Sequence, residues 1–170
     1  MAIETLEDLF YKELQGLYDE EQRLVDALPK MARGAASERL REAFQQHLEQ
    51  TRSHVTRLEE CFRDIRRSAD TDKASGMKGL IQEGERFMQE IEQSPLRDSA
   101  LIGAARRVEH YEIAAYTGAV SFARLLGHQK SAQLLEQTLR EERETDDKLH
   151  EIAATTVNQE ALQLGAHQRR

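Results

Sequence analysis

The stretch Val108-Glu109-His110-Tyr111-Glu112-Ile113-Ala114-Ala115-Tyr116 sets two carboxylates into an apolar helix stripe. Residues three and four apart are neighbours on one helix face. Counted through Leu101, Ala105, Val108, Ala119, Ala123 and Leu126, Glu112 falls in the seam that turns toward the interior, and Glu109 lies beside it. A carboxylate is almost never buried alone, so each needs a cation, a hydrogen-bond network or a metal ion. Other helices must therefore send matching groups to the same level.

The helix carrying this stretch opens at Ser94-Pro95, a capping serine followed by proline at the first helical position, and ends near Gly127. His128 to Ser131 form a corner. A further helix runs to about Val157 with Leu135, Leu139, Glu142, Asp146, Leu149 and Ala153 in its seam, so two more carboxylates stand one turn apart on an inner face. Upstream, Thr5 with Asp8 three residues on opens the first helix. Its stripe of Leu6, Phe10, Leu14, Leu17, Leu24 and Leu28 is interrupted by Glu21, while Glu13 lies at the edge and Asp19 and Glu20 face water. Pro29 lacks an amide donor and ends or kinks this helix. Ser37 caps a second helix to about Arg67, with Leu40, Phe44, Leu48, Val55, Leu58, Phe62 and Ile65 inside and His47 and His54 flanking that face. Ser68 to Gly76 reads as a loop and Met77 to Ile91 as a short amphipathic helix. The connection 68–94 is long enough to carry the chain from one end of a bundle to the other. The pattern predicts an all-α domain over 1–157, four core helices with a long crossover between the second and third plus a short extra helix, and a polar tail, 158–170, that frays.

In an antiparallel hairpin, residues equidistant from the turn share a height, since each residue rises about 1.5 Å. With the second turn centred near 129, Glu112 stands 17 residues before it and Asp146 17 after it, so the two face each other. With the first turn centred near 35, Glu21 stands 14 before it, and the opposite position falls between His47 and His54, next to Gln50. The predicted mid-bundle cluster is Glu21, His54 or His47, Glu109, Glu112, Glu142 and Asp146. Anions gathered there repel one another at low effective dielectric, and one or two divalent cations remove that cost. Glu21 and Glu112 are candidate bridging or terminal ligands, Glu109, Glu142 and Asp146 terminal ligands, and His54 the nitrogen ligand. Clustered carboxylates with one or two imidazoles suit iron or manganese.

This is similar to the ferritin-like dimetal pattern, in which two helices give one Glu each and two give Glu-x-x-His. The chain departs from it in three places: Gln50 and Thr51 precede His54 where a carboxylate belongs, Glu142 and Asp146 lack a histidine partner, and the third helix has Glu109-x-x-Glu112, as rubrerythrin-type sites do. The runs Tyr18-x-x-Glu21, Ala27-Leu28-Pro29-Lys30-Met31, Ala43-Phe44-x-x-His47-Leu48-Glu49, Val108-Glu109-His110-Tyr111-Glu112-Ile113-Ala114 and Glu141-Glu142-x-x-x-Asp146-x-x-Leu149 resemble the YciE/YciF family of bacterial ferritin-like proteins over nearly the whole chain. The resemblance implies a ferritin-like four-helix core with extra short helices, a homodimer, an association with stress responses and a rubrerythrin-like metal site, with a Glu usual where this chain has Gln50. If the site is redox-active, the resemblance to rubrerythrin and manganese catalase implies peroxide or dioxygen chemistry.

The competing reading keeps the seam carboxylates metal-free, neutralised by Arg106, Arg107 and Arg143 or by the Tyr18 and Tyr116 hydroxyls, in a helical dimer that acts as a non-enzymatic stress-related binding or scaffold protein. His110 points to the surface in either reading. A net charge of -7 disfavours nucleic acid and anionic membrane as partners. The single Cys61 precludes an intramolecular disulfide and fits a reducing compartment. No apolar run approaches the roughly 18 residues of a spanning helix, and the N-terminal residues lack the pattern of a secretion signal, so the expected compartment is the cytoplasm. No residue names a substrate or electron donor, and the rubredoxin-like cysteine pair of a full rubrerythrin is missing.

Overall fold

The computed structural model describes residues 3–72 and 75–167, and every regular element among them is helical. The order is α1 (Leu6–Gly34), α2 (Glu38–Asp64), α3 (Ser75–Glu90), α4 (Pro95–Leu125), α5 (Gln129–Ile152), a π-helical turn (Ala153–Val157) and α6 (Asn158–His167). Thr5 and Asp8 form a reciprocal capping box at the start of α1. Ser37 and Ser94 cap α2 and α4, accepting from the amides of Leu40 and Arg97.

Cross-helix bonds give the directions. His128 meets Glu7, Tyr116 meets Glu21 and Arg97 meets Gly34, so α1 and α4 run antiparallel. Arg39 meets Glu151 and Arg57 meets Thr138, so α2 and α5 do the same. The start of α1, the end of α2, the end of α4 and the start of α5 share one end of the molecule. The connection from α2 to α4 therefore crosses to the opposite end, with α3 laid along α1 and α4 through Lys30–Glu85 and Arg107–Glu83 ion pairs. At that opposite end Asp98 is buried, and its carboxylate accepts from the amides of Ala36 at 2.8 Å and Ser37 at 2.7 Å, fixing the α1–α2 turn.

The apolar interior is parted in two. One cluster gathers Phe10, Leu14, Phe62, Tyr116, Ala119 and Leu135; the other gathers Leu28, Phe44, Leu101, Ile102, Leu149 and Ile152. Each draws on α1, α2, α4 and α5. Between them lies a layer of buried polar side chains from the same four helices.

Several boundaries differ from the sequence expectation. Pro29 does not end α1, which continues to Gly34 because Ala32 and Ala35 are buried in the second cluster and outweigh the missing donor. The second helix stops at Asp64 rather than near Arg67. Its end is a Schellman closure: Arg66 takes the left-handed conformation at φ 56, its amide bonds to the Arg63 carbonyl, and the Arg67 amide bonds to that of Phe62. Gly127, at φ 81, closes α4 in the same way. The expected frayed tail is helical from Asn158 to His167. Val157 is buried, the Ser99 hydroxyl bonds to the Asn158 side chain, and Ala161, Leu162, Gln163 and Leu164 are strong helix formers. Residues 168–170 of that tail lie outside the described residues.

Candidate metal centre

The polar layer is built from Glu21 on α1, His47, Thr51 and His54 on α2, Glu109 and Glu112 on α4, and Glu142 on α5, all buried. Glu142 lies at its middle. Its Oε1 is 3.0 Å from His54 Nδ1 and its Oε2 is 3.8 Å from His47 Nε2. His54 Nδ1 is also 3.2 Å from Glu21 Oε1, and His47 Nε2 is 3.4 Å from Glu109 Oε1. One ligand atom each from His47, Glu109, Glu112 and Glu142 lie within 4.8 Å of one another, and so do one each from Glu21, His54 and Glu142. The layer thus contains two adjoining clusters of ligand-type atoms that share Glu142.

Burial, reinforced by the charge of Glu142, pushes Glu109 and Glu112 well above the usual carboxylate range, so both favour the protonated form. Burial raises Glu21 as well, although His54 and the Tyr116 hydroxyl act against it. Burial would also raise Glu142, but hydrogen bonding to His54 and the positive potential of both imidazoles outweigh it and hold this carboxyl below its ordinary value. Burial works against a charged His54, yet Glu21, Glu141 and Glu142 together push it up to about 12. Burial depresses His47. A protonated His54 beside ionised Glu142 therefore balances part of the layer.

The balance is incomplete. Glu109 Oε2, both oxygens of Glu112, both oxygens of Glu142 and His47 Nε2 meet no hydrogen-bond partner of good geometry among the described residues. Leaving a buried polar atom unpaired costs on the order of 1–3 kcal/mol, more when it is charged. The unpaired atoms are nearly all carboxyl oxygens, they lie close to one another, and once Glu109 and Glu112 give up their protons the mix of carboxylate and imidazole fits a divalent transition-metal ion.

Of the residues expected in the cluster, the fold brings together Glu21, His54, Glu109, Glu112 and Glu142. Asp146 is not among them. It is bound by Arg106 through Nε at 2.7 Å and Nη2 at 3.2 Å and approached by His110, and Arg106 overcomes partial burial to lower its pKa. The reason is the corner: α4 ends at Leu125 and α5 begins at Gln129, so the connection centres on Gly127 rather than on 129. Moving the centre by two positions moves the opposite residue by four, from Asp146 to Glu142. The arginines expected as neutralising partners go elsewhere, Arg106 to Asp146 and Arg107 to Glu83, while Arg143 is exposed. The Tyr18 hydroxyl bonds to Glu59, and the Tyr116 hydroxyl donates to Glu21 at 2.5 Å.

Both imidazoles enter the layer, where the sequence offered one or the other. Gln50 is a hydrogen-bonding neighbour of His47 and lines a surface groove between α2 and α5 with Gln46, Thr145 and Lys148. Glu20, read as solvent-facing, is only 4% exposed, and Asp19 is buried beside Arg23. Glu141 carries no signal at all in the seam count, being 100° round the helix from Glu142. Its carboxylate nevertheless sits 2.9 Å from His54 Nε2 and takes two bonds from Arg57.

Residues 5–162 match the family described as a domain of unknown function, DUF892. The chain is 40% identical over 162 residues to the protein YciF of Escherichia coli K12, covering 95% of this chain and 98% of that one. The crystal structure of the E. coli stress protein YciF superposes with a TM-score of 0.88 at 39% identity, covering 92% of this chain and 99% of that one. YcfI from Rhodopseudomonas palustris superposes with a TM-score of 0.84 at 34% identity over 87% of this chain and 94% of that one. A protein from Xanthomonas campestris shares the fold at 23% identity, with a TM-score of 0.70 over 97% and 98% of the two chains.

Proposed function

The chain belongs to the DUF892 family, and from that footing we propose that it is a ferritin-like four-helix bundle protein whose carboxylate-rich centre holds one or two divalent transition-metal ions, iron or manganese. The observation that carries the reading is the set of buried polar atoms on Glu109, Glu112, Glu142 and His47 that lack a well-aligned hydrogen bond, although Glu142 meets the imidazole of His54 at 3.0 Å; they converge from three helices. A cation answers all of them at once. Glu21, His54 and Glu142 hold one position; His47, Glu109, Glu112 and Glu142 hold the other. With the E. coli relative a stress protein, the same reading gives this chain a part in a stress response.

Bound iron or manganese supplies the electron transfer that peroxide or dioxygen chemistry requires. The chain's own part is to hold the ligands from four helices, to keep bulk water out with an apolar cluster above and below, and to keep Glu21 oriented through the Tyr116 hydroxyl. Metal analysis of protein produced with added iron or manganese tests the reading. Bound metal with a raised melting temperature supports it, and no metal with no stabilisation by either ion overturns it. A peroxide-decomposition assay on the loaded protein separates an oxidoreductase from a passive binder.

One observation favours the metal-free alternative, a helical scaffold or binding protein: His54, Tyr116 and Arg106 already answer Glu21, Asp146 and part of Glu142. It leaves Glu109 and Glu112 as neutral buried acids, and it predicts that removing their carboxyl protons by substitution with glutamine changes nothing but stability.

A further inference from the structure

An imidazole that offers one nitrogen to a metal carries its proton on the other, and the acceptor of that proton decides which nitrogen is which. Both acceptors here come from a single turn of α5. His54 Nε2 is 2.9 Å from Glu141 Oε2. Ionised carboxylates only accept, so Nε2 keeps its proton, and Nδ1, the nitrogen free to give up its own to a metal, is turned toward Glu21 and Glu142. Glu141 cannot drift, because Arg57 grips it at 2.7 and 2.9 Å and Gln137 donates to it at 3.2 Å.

At the other imidazole, which also has Gln50 as a hydrogen-bonding neighbour, the group with a fixed role at Nδ1 is Thr145. Its hydroxyl has one proton, which it donates to the main-chain carbonyl of Glu141 at 3.0 Å. Toward His47 Nδ1, 3.3 Å away, that oxygen is left only to accept. The proton of His47 is therefore on Nδ1, and Nε2 is the bare, unpaired nitrogen that faces Glu109 and Glu142.

We propose that Glu141 and Thr145 are positioning residues that set the two imidazoles in opposite tautomers, so that the centre is ligated by Nδ1 of His54 and Nε2 of His47. Glu141 acts on both rings, through its side chain on one and its carbonyl on the other. Neither residue belongs to either cluster of candidate ligands. This assignment rests on the reading of the layer as a metal centre, and it adds which atoms bind and what selects them.

The test is imidazole 15N NMR on the full chain, metal-free and after addition of Zn(II) as a diamagnetic probe, with Zn(II) affinity measured in parallel. In the metal-free wild type His47 is expected as the Nδ1–H tautomer; on Zn(II) addition, His54 Nδ1 and His47 Nε2 are expected to take the coordination shifts. Thr145→Val is expected to lose the tautomer preference of His47, and Glu141→Ala to lose the fixed ring of His54, each weakening Zn(II) binding by about 10- to 100-fold. Thr145→Ser and Glu141→Gln, which keep an acceptor, restore the nitrogen assignment and show that the changes are not general unfolding. Coordination through the opposite nitrogens, or an unchanged His47 tautomer in Thr145→Val, overturns the proposal. A wild type that takes up no Zn(II), iron or manganese overturns the metal reading instead, and the metal-free His47 tautomer still decides the role of Thr145.

Discussion

Glu142 stands between the two buried imidazoles, with Oε1 3.0 Å from His54 Nδ1 and Oε2 3.8 Å from His47 Nε2. Among the described residues it is the one carboxylate shared by both halves of the layer. Glu142→Gln is therefore expected to abolish uptake at both positions, whereas Glu21→Gln spares the His47 side. Asp146→Asn, whose carboxylate is taken by Arg106, is expected to leave metal content unchanged. Metal-to-protein ratios after anaerobic loading with Fe(II) or Mn(II) read all three.

Glu112 has neither oxygen paired, so in the metal-free protein its carboxyl is a cost rather than a support. Glu112→Gln is expected to leave metal-free stability unchanged or to raise it by up to about 2 kcal/mol, while lowering the stabilisation that Mn(II) confers. Urea unfolding with and without the ion checks both halves.

Glu20 is buried, and its pKa is pushed up to about 7 by that burial and by the charges of Glu21, Glu13 and Asp19. A carboxyl raised in the folded state binds more protons there than in the unfolded chain, so its contribution is fully present below the ordinary value of 4.5 and is lost as pH rises toward 7. Metal-free protein is expected to be less stable at pH 8 than at pH 5. Glu20→Gln removes part of that slope, stabilising at pH 8 by on the order of 1–3 kcal/mol and by little at pH 4.5.

Two helices end in the same closure with different residues, Arg66 after α2 and Gly127 after α4. Glycine takes positive φ at no steric cost, and arginine does not. Arg66→Gly is expected to stabilise the fold by about 0.5–1 kcal/mol, and Gly127→Ala to destabilise it by a similar amount. Thermal melts of the two variants should shift in opposite directions.

Cys61 is buried and its thiol is pushed up to about 12, by burial above all. The thiolate is the reactive form. The folded protein is expected to resist thiol reagents at pH 8 and to react stoichiometrically once unfolded in denaturant.

The helices were legible because their apolar stripes keep a 3.6-residue period and their starts carry Thr5, Ser37 and Ser94 as caps. The inward acids were legible as breaks in those stripes. What periodicity could not supply was axial registration: a two-residue shift of the corner at Gly127 set Asp146 level with Glu112 and drew it into the expected cluster beside Glu142. It also could not show the groups just outside a seam. Glu20, Glu141 and Thr145 sit at stripe edges, where a polar residue looks solvated until the neighbouring helix is in place. At Pro29, where the sequence predicts an end or a kink, the helix does not end, since tertiary packing of Ala32 and Ala35 carries it past a local breaker.

The parting of the apolar interior into two clusters gives the chain two nuclei and a seam of weakness between them. Each nucleus recruits all four long helices, so a cation bound at the waist, as proposed, would fasten together halves that already share their backbones. Its binding energy is then expected to surface as cooperativity, with metal-loaded protein melting as one unit and metal-free protein loosening first across its middle.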